Sequence, residues 1–198
     1  MLRIMTDMKV VDVETTGTEP EKHSIVSIGA VDFNSPERQF YDECRIWSGA
    51  EISLEALEVN GFTIKDIVSA KKKTLEKIIK EFVKWSEDDV IGGGNPEFDR
   101  NFLKTSAKRY AVYWKPPLVT VDVRSLCYAH QIKKGQEVKT FGQKVDDTLQ
   151  YVGLPAEPKP HNALMGAKLE AEAFSRIIYG KPMFKEFEKY PLPEYLRL

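Results

Sequence analysis

The apolar run Met8 to Val13 (MKVVDV) leads directly into two carboxylates set two residues apart, Asp12 and Glu14, and then into Thr15-Thr16-Gly17. A run of this kind reads as a buried strand, and its period of two puts Asp12 and Glu14 on one face. Neighbouring carboxylates repel, and one must hold a proton unless a cation lies between them. Oxygen donors of this sort suit Mg²⁺ or Mn²⁺. A solvated strand end followed by a turn would use the same residues, so the pair alone leaves both readings open.

The remaining strands are expected at Ser24 to Phe33, Arg38 to Trp47, Asp89 to Gly92 and Leu118 to Val123. The second and third are joined by Asn34-Ser35-Pro36, a hairpin-like spacing that makes them antiparallel. Leu75, Ile78, Ile79, Phe82 and Val83 share one face at helical spacing. Further helices are expected from Asn95 to Ala107, with Asn95 at the start, from Phe141 to Val152, and from Asn162 to Tyr179. A hairpin followed by alternating helix and strand predicts an α/β chain, a mixed sheet with helices on its faces. The tail from Lys181 is rich in Pro and aromatic residues and is expected to pack on the body.

With 198 residues, 42% of them hydrophobic, and a net charge of −1, the chain suits one domain, 1–198, with a substantial core. The most apolar run, Ile25 to Val31, falls well short of the roughly 20 residues of a membrane span. Met1 to Lys9 lacks the apolar stretch of a signal peptide, and Cys44 and Cys127 read as reduced thiols. These features lead to the expectation of a cytoplasmic protein, with no membrane partner, standing alone or serving as a subunit of something larger. A pI near 6.3 argues against coating duplex nucleic acid by bulk charge, so any such contact is local.

Two more segments carry chemistry. Asp99 lies in the first turns of a helix after a strand, within Asn95-Pro96-Glu97-Phe98-Asp99. It is either a metal ligand or an acid placed to complement the helix dipole. His161 lies in a Pro-flanked loop just before a helix whose cap is Asn162. An accessible imidazole there suits general-base work, or is an ordinary surface residue.

Taken in order, the three segments resemble the DEDDh 3′–5′ exonuclease superfamily, and within it the proofreading ε-subunit group of bacterial DNA polymerase III. The first motif of that family, Asp-x-Glu-Thr-Thr-Gly, stands intact at Asp12 to Gly17. The second, Asn-x-x-Phe-Asp-x-x-Phe-Leu, is matched by Asn95, Phe98, Asp99, Phe102 and Leu103. The third, His-Asn-Ala-Leu-x-Asp-Ala, is matched at His161 to Leu164 and at Ala167. Leu57 to Thr63 looks like the family's segment that wedges against the 3′-terminal nucleotide. The resemblance runs from about residue 9 to 179 and leaves 180–198 as a tail. It implies a ribonuclease-H-like fold, a five-stranded mixed sheet with helices on both faces and the Asp12 strand at its centre. It implies metal-dependent hydrolysis of single-stranded nucleic-acid 3′ ends, with DNA the expected substrate although nothing in the sequence decides DNA against RNA, and with two ions about 4 Å apart at the scissile phosphate. Asp12, Glu14 and Asp99 would hold Mg²⁺ or Mn²⁺, and His161 would act as general base. Thr15, Thr16, Asn60, Asn95 and Phe98 would touch substrate, and a replication or repair protein would be a partner.

One position departs from the pattern. The family's fourth acid, five residues after the His, is here Gly166. The expectation is an impaired enzyme, slowed about a thousandfold, or a catalytically silent homologue that binds 3′ ends or a protein. Glu170 lies one helical turn further on and reads either as an ordinary surface acid or as a rescue of the missing ligand, since its carboxylate would lean back toward position 166.

Overall fold

The computed structural model describes residues 7–136, 138 and 144–197. Its sheet is built around β1 (Met8–Thr15), which pairs antiparallel with β2 (Ile25–Asp32) and parallel with β5 (Val90–Gly93). Strand β3 (Gln39–Arg45) lies outside β2, and β6 (Thr120–Asp122) lies outside β5. The expected count of five strands is corrected to six by β4 (Lys73–Thr74), which pairs parallel with the edge of β3. Two residues carry too little pattern to register as a strand in the sequence.

Helices α1 (Leu54–Asn60), α2 (Ile64–Ile67), α3 (Leu75–Ser86), α4 (Pro96–Arg109), α5 (Val123–Lys133), α6 (Val145–Tyr151) and α7 (Ala163–Tyr179) complete the described body. The strand expected over Leu118 to Val123 is shorter, because Asp122 accepts from Arg124 N and opens α5. The expected start of the helix at Phe141 lies outside the described residues; α6 begins at Val145.

Alternation along β1 sorts the chain into two layers. Met8 and Val10 pack with Leu169, Ala171 and Phe174 of α7. Val11 and Val13 pack with Ile78, Ile79 and Phe82 of α3 and Phe102 of α4. Asp12 and Glu14 are in phase with Met8 and Val10, so they face α7. Helix α7 comes down close onto the sheet at Gly29, the β2 partner of Asp12; a Cβ there would lie 2.1 Å from the backbone carbon of Ala163.

The tail is tied down by one buried charge pair. Arg176 and Glu172 of α7 are 1% and 0% exposed at the side chain and meet at 2.7 Å. Arg176 also donates to the carbonyls of Val152, Phe187 and Tyr190, and Glu172 accepts from the amides of Met183 and Phe184. Phe184, Phe187 and Leu196 are buried against the α7 layer. No helix among the described residues is long and apolar enough to cross a membrane.

Candidate active site

The carboxylates of Asp12 and Glu14 emerge where β1 runs on beyond β5 while still paired with β2. The β1–β5 pairing ends at Val10 and Gly92, and the β1–β2 register slips between Glu14 and Thr15. With β5 gone, the amide of Val13, between the two acids, donates instead to Asp99 Oδ1 at 2.9 Å. Asp99 is only 5% exposed in the first turn of α4, so this bond holds its carboxylate against the strand.

From the opposite side comes the loop before α7. The Lys159–Pro160 peptide is cis, and Pro160 packs on Gly61, whose φ of 73° ends α1 and whose missing Cβ makes the room. The amide of His161 donates to the carbonyl of Val59. Its Nδ1 lies 3.4 Å from Glu157 Oε2, and the ring is about one-third exposed. Asn162 caps α7 by accepting from Leu164 N and Met165 N, as the sequence led us to expect. A cleft of about 350 Å³ beside His161 is lined by Tyr41, Asn60, Phe62 and Lys72.

Gly166 faces Asp12. A Cβ on Gly166 would lie 2.1 Å from Asp12 Oδ2 and 3.4 Å from Glu157 Oε1. The carboxylate of Asp12 therefore occupies the room that a side chain at position 166 would take.

Two acids join the site that the three motifs do not include. Glu157 forms a close group with Glu14 and His161, each offering a ligand atom within 4.8 Å of the others. Its Oε1 also accepts from Asn162 N. Glu170 corrects the reading of a surface acid: it is 6% exposed, and its buried Oε2 has no hydrogen-bond partner. Its carboxylate fits under the turn out of β5 because residues 93 and 94 are glycines; a Cβ at Gly94 would lie 2.6 Å from Glu170 Oε1. The signals were available. Glu170 is four residues from Gly166 on one helix face, and a Gly pair marks close approach.

Several expected substrate contacts are used by the fold itself. The Thr15 hydroxyl donates to Gly17 O, and the Thr16 hydroxyl donates to Glu51 O while accepting from Ser24 N. Asn60 lines the cleft but gives its Nδ2 to Thr15 O and its Oδ1 to Phe62 N. Asn95 stands at the start of α4, as expected, in a left-handed conformation with φ 81° and without a side-chain cap bond. Its side chain is exposed, and Phe98 packs on Phe102 with ring centroids 4.9 Å apart. Arg124, Lys133, Lys134, Lys139 and Lys144 are the basic residues that the sequence offers for contact with a nucleic-acid backbone; Lys139 lies outside the described residues, and Arg124 is paired with Asp122 at 2.8 Å.

Burial sets the electrostatics. Desolvation pushes the Asp12 carboxyl well above the usual range, and Asp99, Glu170, Glu14 and Glu157 reinforce it. Burial raises Glu14 to about 7, with Glu157 adding to it, and raises Asp99 to about 8. Glu170 is pushed well up by burial and by Asp99. Among the described residues, none of these carboxylates is paired with a Lys or Arg. A group of oxygen donors without its own cation, with Glu14, Asp99 and Glu170 buried and one oxygen lacking any hydrogen-bond partner, fits a hard divalent ion.

The pH dependence follows. A carboxyl whose folded pKa is raised contributes stability that is full below its unfolded value and is lost as pH rises through the folded one. The metal-free chain is therefore expected to lose melting temperature from about pH 4 to the region of 7 and 8 where Glu14 and Asp99 titrate. Millimolar Mg²⁺ should flatten that loss. Calorimetry with EDTA and with Mg²⁺ checks it; a metal-free melting temperature that rises across this span would contradict the repulsion.

The sequence profile of the RNase_T exonuclease family matches residues 10–174. A DNA polymerase III of PolC type from Thermotoga maritima is 29% identical over 172 residues, which is 85% of this chain and 12% of that protein. The chain thus spans only a small part of the polymerases it matches. The 3′-5′ DNA exonuclease Cap18 of Escherichia coli is 28% identical over 176 residues, 84% of this chain and 89% of the relative. Among solved structures, the nuclease domain of 3′hExo, a DEDDh family member bound to rAMP, superposes with a TM-score of 0.67 at 16% identity, over 98% of this chain and 99% of that one. E. coli exonuclease I in complex with a dA16 oligonucleotide gives 0.66 at 15% identity, over 89% of this chain and 41% of that one. The fold is thus of the ribonuclease-H-like DEDDh type, and with its profile matched over most of its length the chain belongs to the RNase_T exonuclease family, whose members hydrolyse phosphodiester bonds.

Proposed function

We propose that the chain is a metal-dependent 3′–5′ exonuclease acting on single-stranded ends, of DNA in preference to RNA. The observation that carries this reading is the Val13 N–Asp99 bond, which draws Asp99 to the strand between Asp12 and Glu14. These three residues would hold Mg²⁺ or Mn²⁺, in a pair of ions. When bound, such ions neutralise charge at the scissile phosphate and acidify a water.

The chain's own groups do the rest. With Nδ1 turned to Glu157, His161 has Nε2 left to take a proton from the attacking water. The cleft beside His161 is of a size to seat one terminal nucleotide, with Tyr41 offering an aromatic ring to a base and Lys72, seated over the Phe62 ring, offering a positive charge to a phosphate. Support for DNA comes from the likeness to Cap18, and for a replication or repair partner from the likeness to the polymerases. Such an enzyme would act in the cytoplasm. With Asp12, Glu14 and Asp99 as its only ligands the chain would be the impaired enzyme that the motif count suggests. Gly166 favours a second reading, a silent homologue that binds 3′ ends or a protein.

A 5′-labelled single strand incubated with the chain and Mg²⁺ or Mn²⁺ separates the two. Shortening from the 3′ end, abolished by EDTA, is the expected result. A strand retained by the protein at full length in both metals would favour the silent homologue.

A further inference from the structure

We propose that the carboxylate missing at Gly166 has been relocated: Glu157 supplies it on the Glu14–His161 side of Asp12, and Glu170 closes the site on the Asp99 side. The inference rests on the reading of a metal-dependent exonuclease and deepens it.

Motif counting gives three acids, but two more carboxylates border them: Glu157 stands beside Glu14 and His161, and Glu170 lies under Gly93 and Gly94. Glu157 Oε1 lies 3.4 Å from where the Cβ of residue 166 would be, so a carboxylate already stands beside the vacated position. It is held there on both oxygens, Oε1 by Asn162 N and Oε2 beside His161 Nδ1. With Glu14 and His161 it forms a group of potential ligand atoms compact enough for one ion. A carboxylate oxygen that accepts one N–H bond keeps a further lone pair for a metal.

Glu170 supplies the independent observation. An acid that is 94% buried with an unpartnered oxygen is costly, and mutual repulsion with Asp99 and Asp12 adds to the cost. The backbone nevertheless makes room for it at two successive glycines, Gly93 and Gly94. A cation shared with Asp12 and Asp99 would satisfy the orphaned oxygen. No surface role accounts for an acid in this place.

The test reads metal binding directly, apart from catalysis. Free Mn²⁺ is followed by electron paramagnetic resonance while it is titrated into the wild-type chain, Glu157→Gln and Glu170→Gln, and each is melted with and without Mn²⁺. Each Gln variant is expected to weaken Mn²⁺ binding at least tenfold and to melt at or above the wild-type temperature in EDTA, since it removes a repelling charge. A residue with a merely structural role would lower the metal-free melting temperature instead. Should Glu170→Gln not fold, Glu170→Asp, whose reach is one methylene shorter, is read in the same way. Adding Gly166→Asp to Glu157→Gln should restore binding to within about threefold of wild type. Alone, Gly166→Asp should raise exonuclease activity by less than tenfold, because the ligand is already present and Asp12 must swing aside. Wild-type Mn²⁺ affinity in either glutamate variant overturns the relocation, as does a hundredfold gain in activity from Gly166→Asp alone. A wild-type chain that binds no Mn²⁺ overturns the parent reading together with it.

Discussion

Replacing Asp12 by Asn should lower metal-dependent exonuclease activity by at least about a thousandfold, the scale expected when a shared ligand of the reacting phosphate's metals is lost. Asp12 is the one acid repelled by each of Asp99, Glu170, Glu14 and Glu157, so it stands at the centre of the group. Asn keeps the shape and removes the charge. Stability should move the other way: without metal the variant should melt higher than wild type, because a desolvated carboxylate surrounded by acids is gone. Activity loss joined to a stability gain separates a functional group from a structural one. A variant that keeps a tenth of wild-type activity would remove Asp12 from the centre of the site.

The largest effect on folding is expected far from the chemistry. Arg176→Met should destabilise the chain by about 3–5 kcal/mol, since it strands Glu172 as an unpaired buried charge. It also removes donors from the carbonyls of Val152, Phe187 and Tyr190, which hold the tail to α7. For a chain of this length that corresponds to a fall on the order of 10 °C in melting temperature. Urea unfolding measures it, and Glu172→Gln in the same chain should recover part of the loss. A cost under about 1 kcal/mol would mean that water reaches the pair and that the tail is held by its aromatic residues alone.

The parts legible in sequence are those fixed by short-range pattern. The period of β1 placed Asp12 and Glu14 on one face, the turn after β5 placed Asp99 at a helix start, and Asn162 announced α7. What escaped depended on long-range docking. Glu170 looks solvated until the approach of α7 to Gly93 and Gly94 is known. Glu157 belongs to no motif, and its place depends on how the loop before α7 folds back over α1. Motifs mark Thr15 and Thr16 without saying which way their hydroxyls point; here the Thr15 hydroxyl donates to Gly17 O, and the Thr16 hydroxyl ties the turn to Glu51 and Ser24. Lys9 shows the same limit within an apolar strand, where it is buried between Asp32 and Asp89 at 2.8 and 2.7 Å.

The seating of α7 on the backbone at Gly29 also has a bearing on how the molecule comes into being. Asp12 and Glu14 are synthesised well before the loop and helix that complete the site. Contacts between such distant segments form late, after much loop entropy has been lost. A nascent chain with β1 through α4 in place would hold three acids around an open groove, with neither His161 nor the wall formed by α7. The site would therefore be completed in one step, only once the loop and α7 have followed the sheet out of the ribosome.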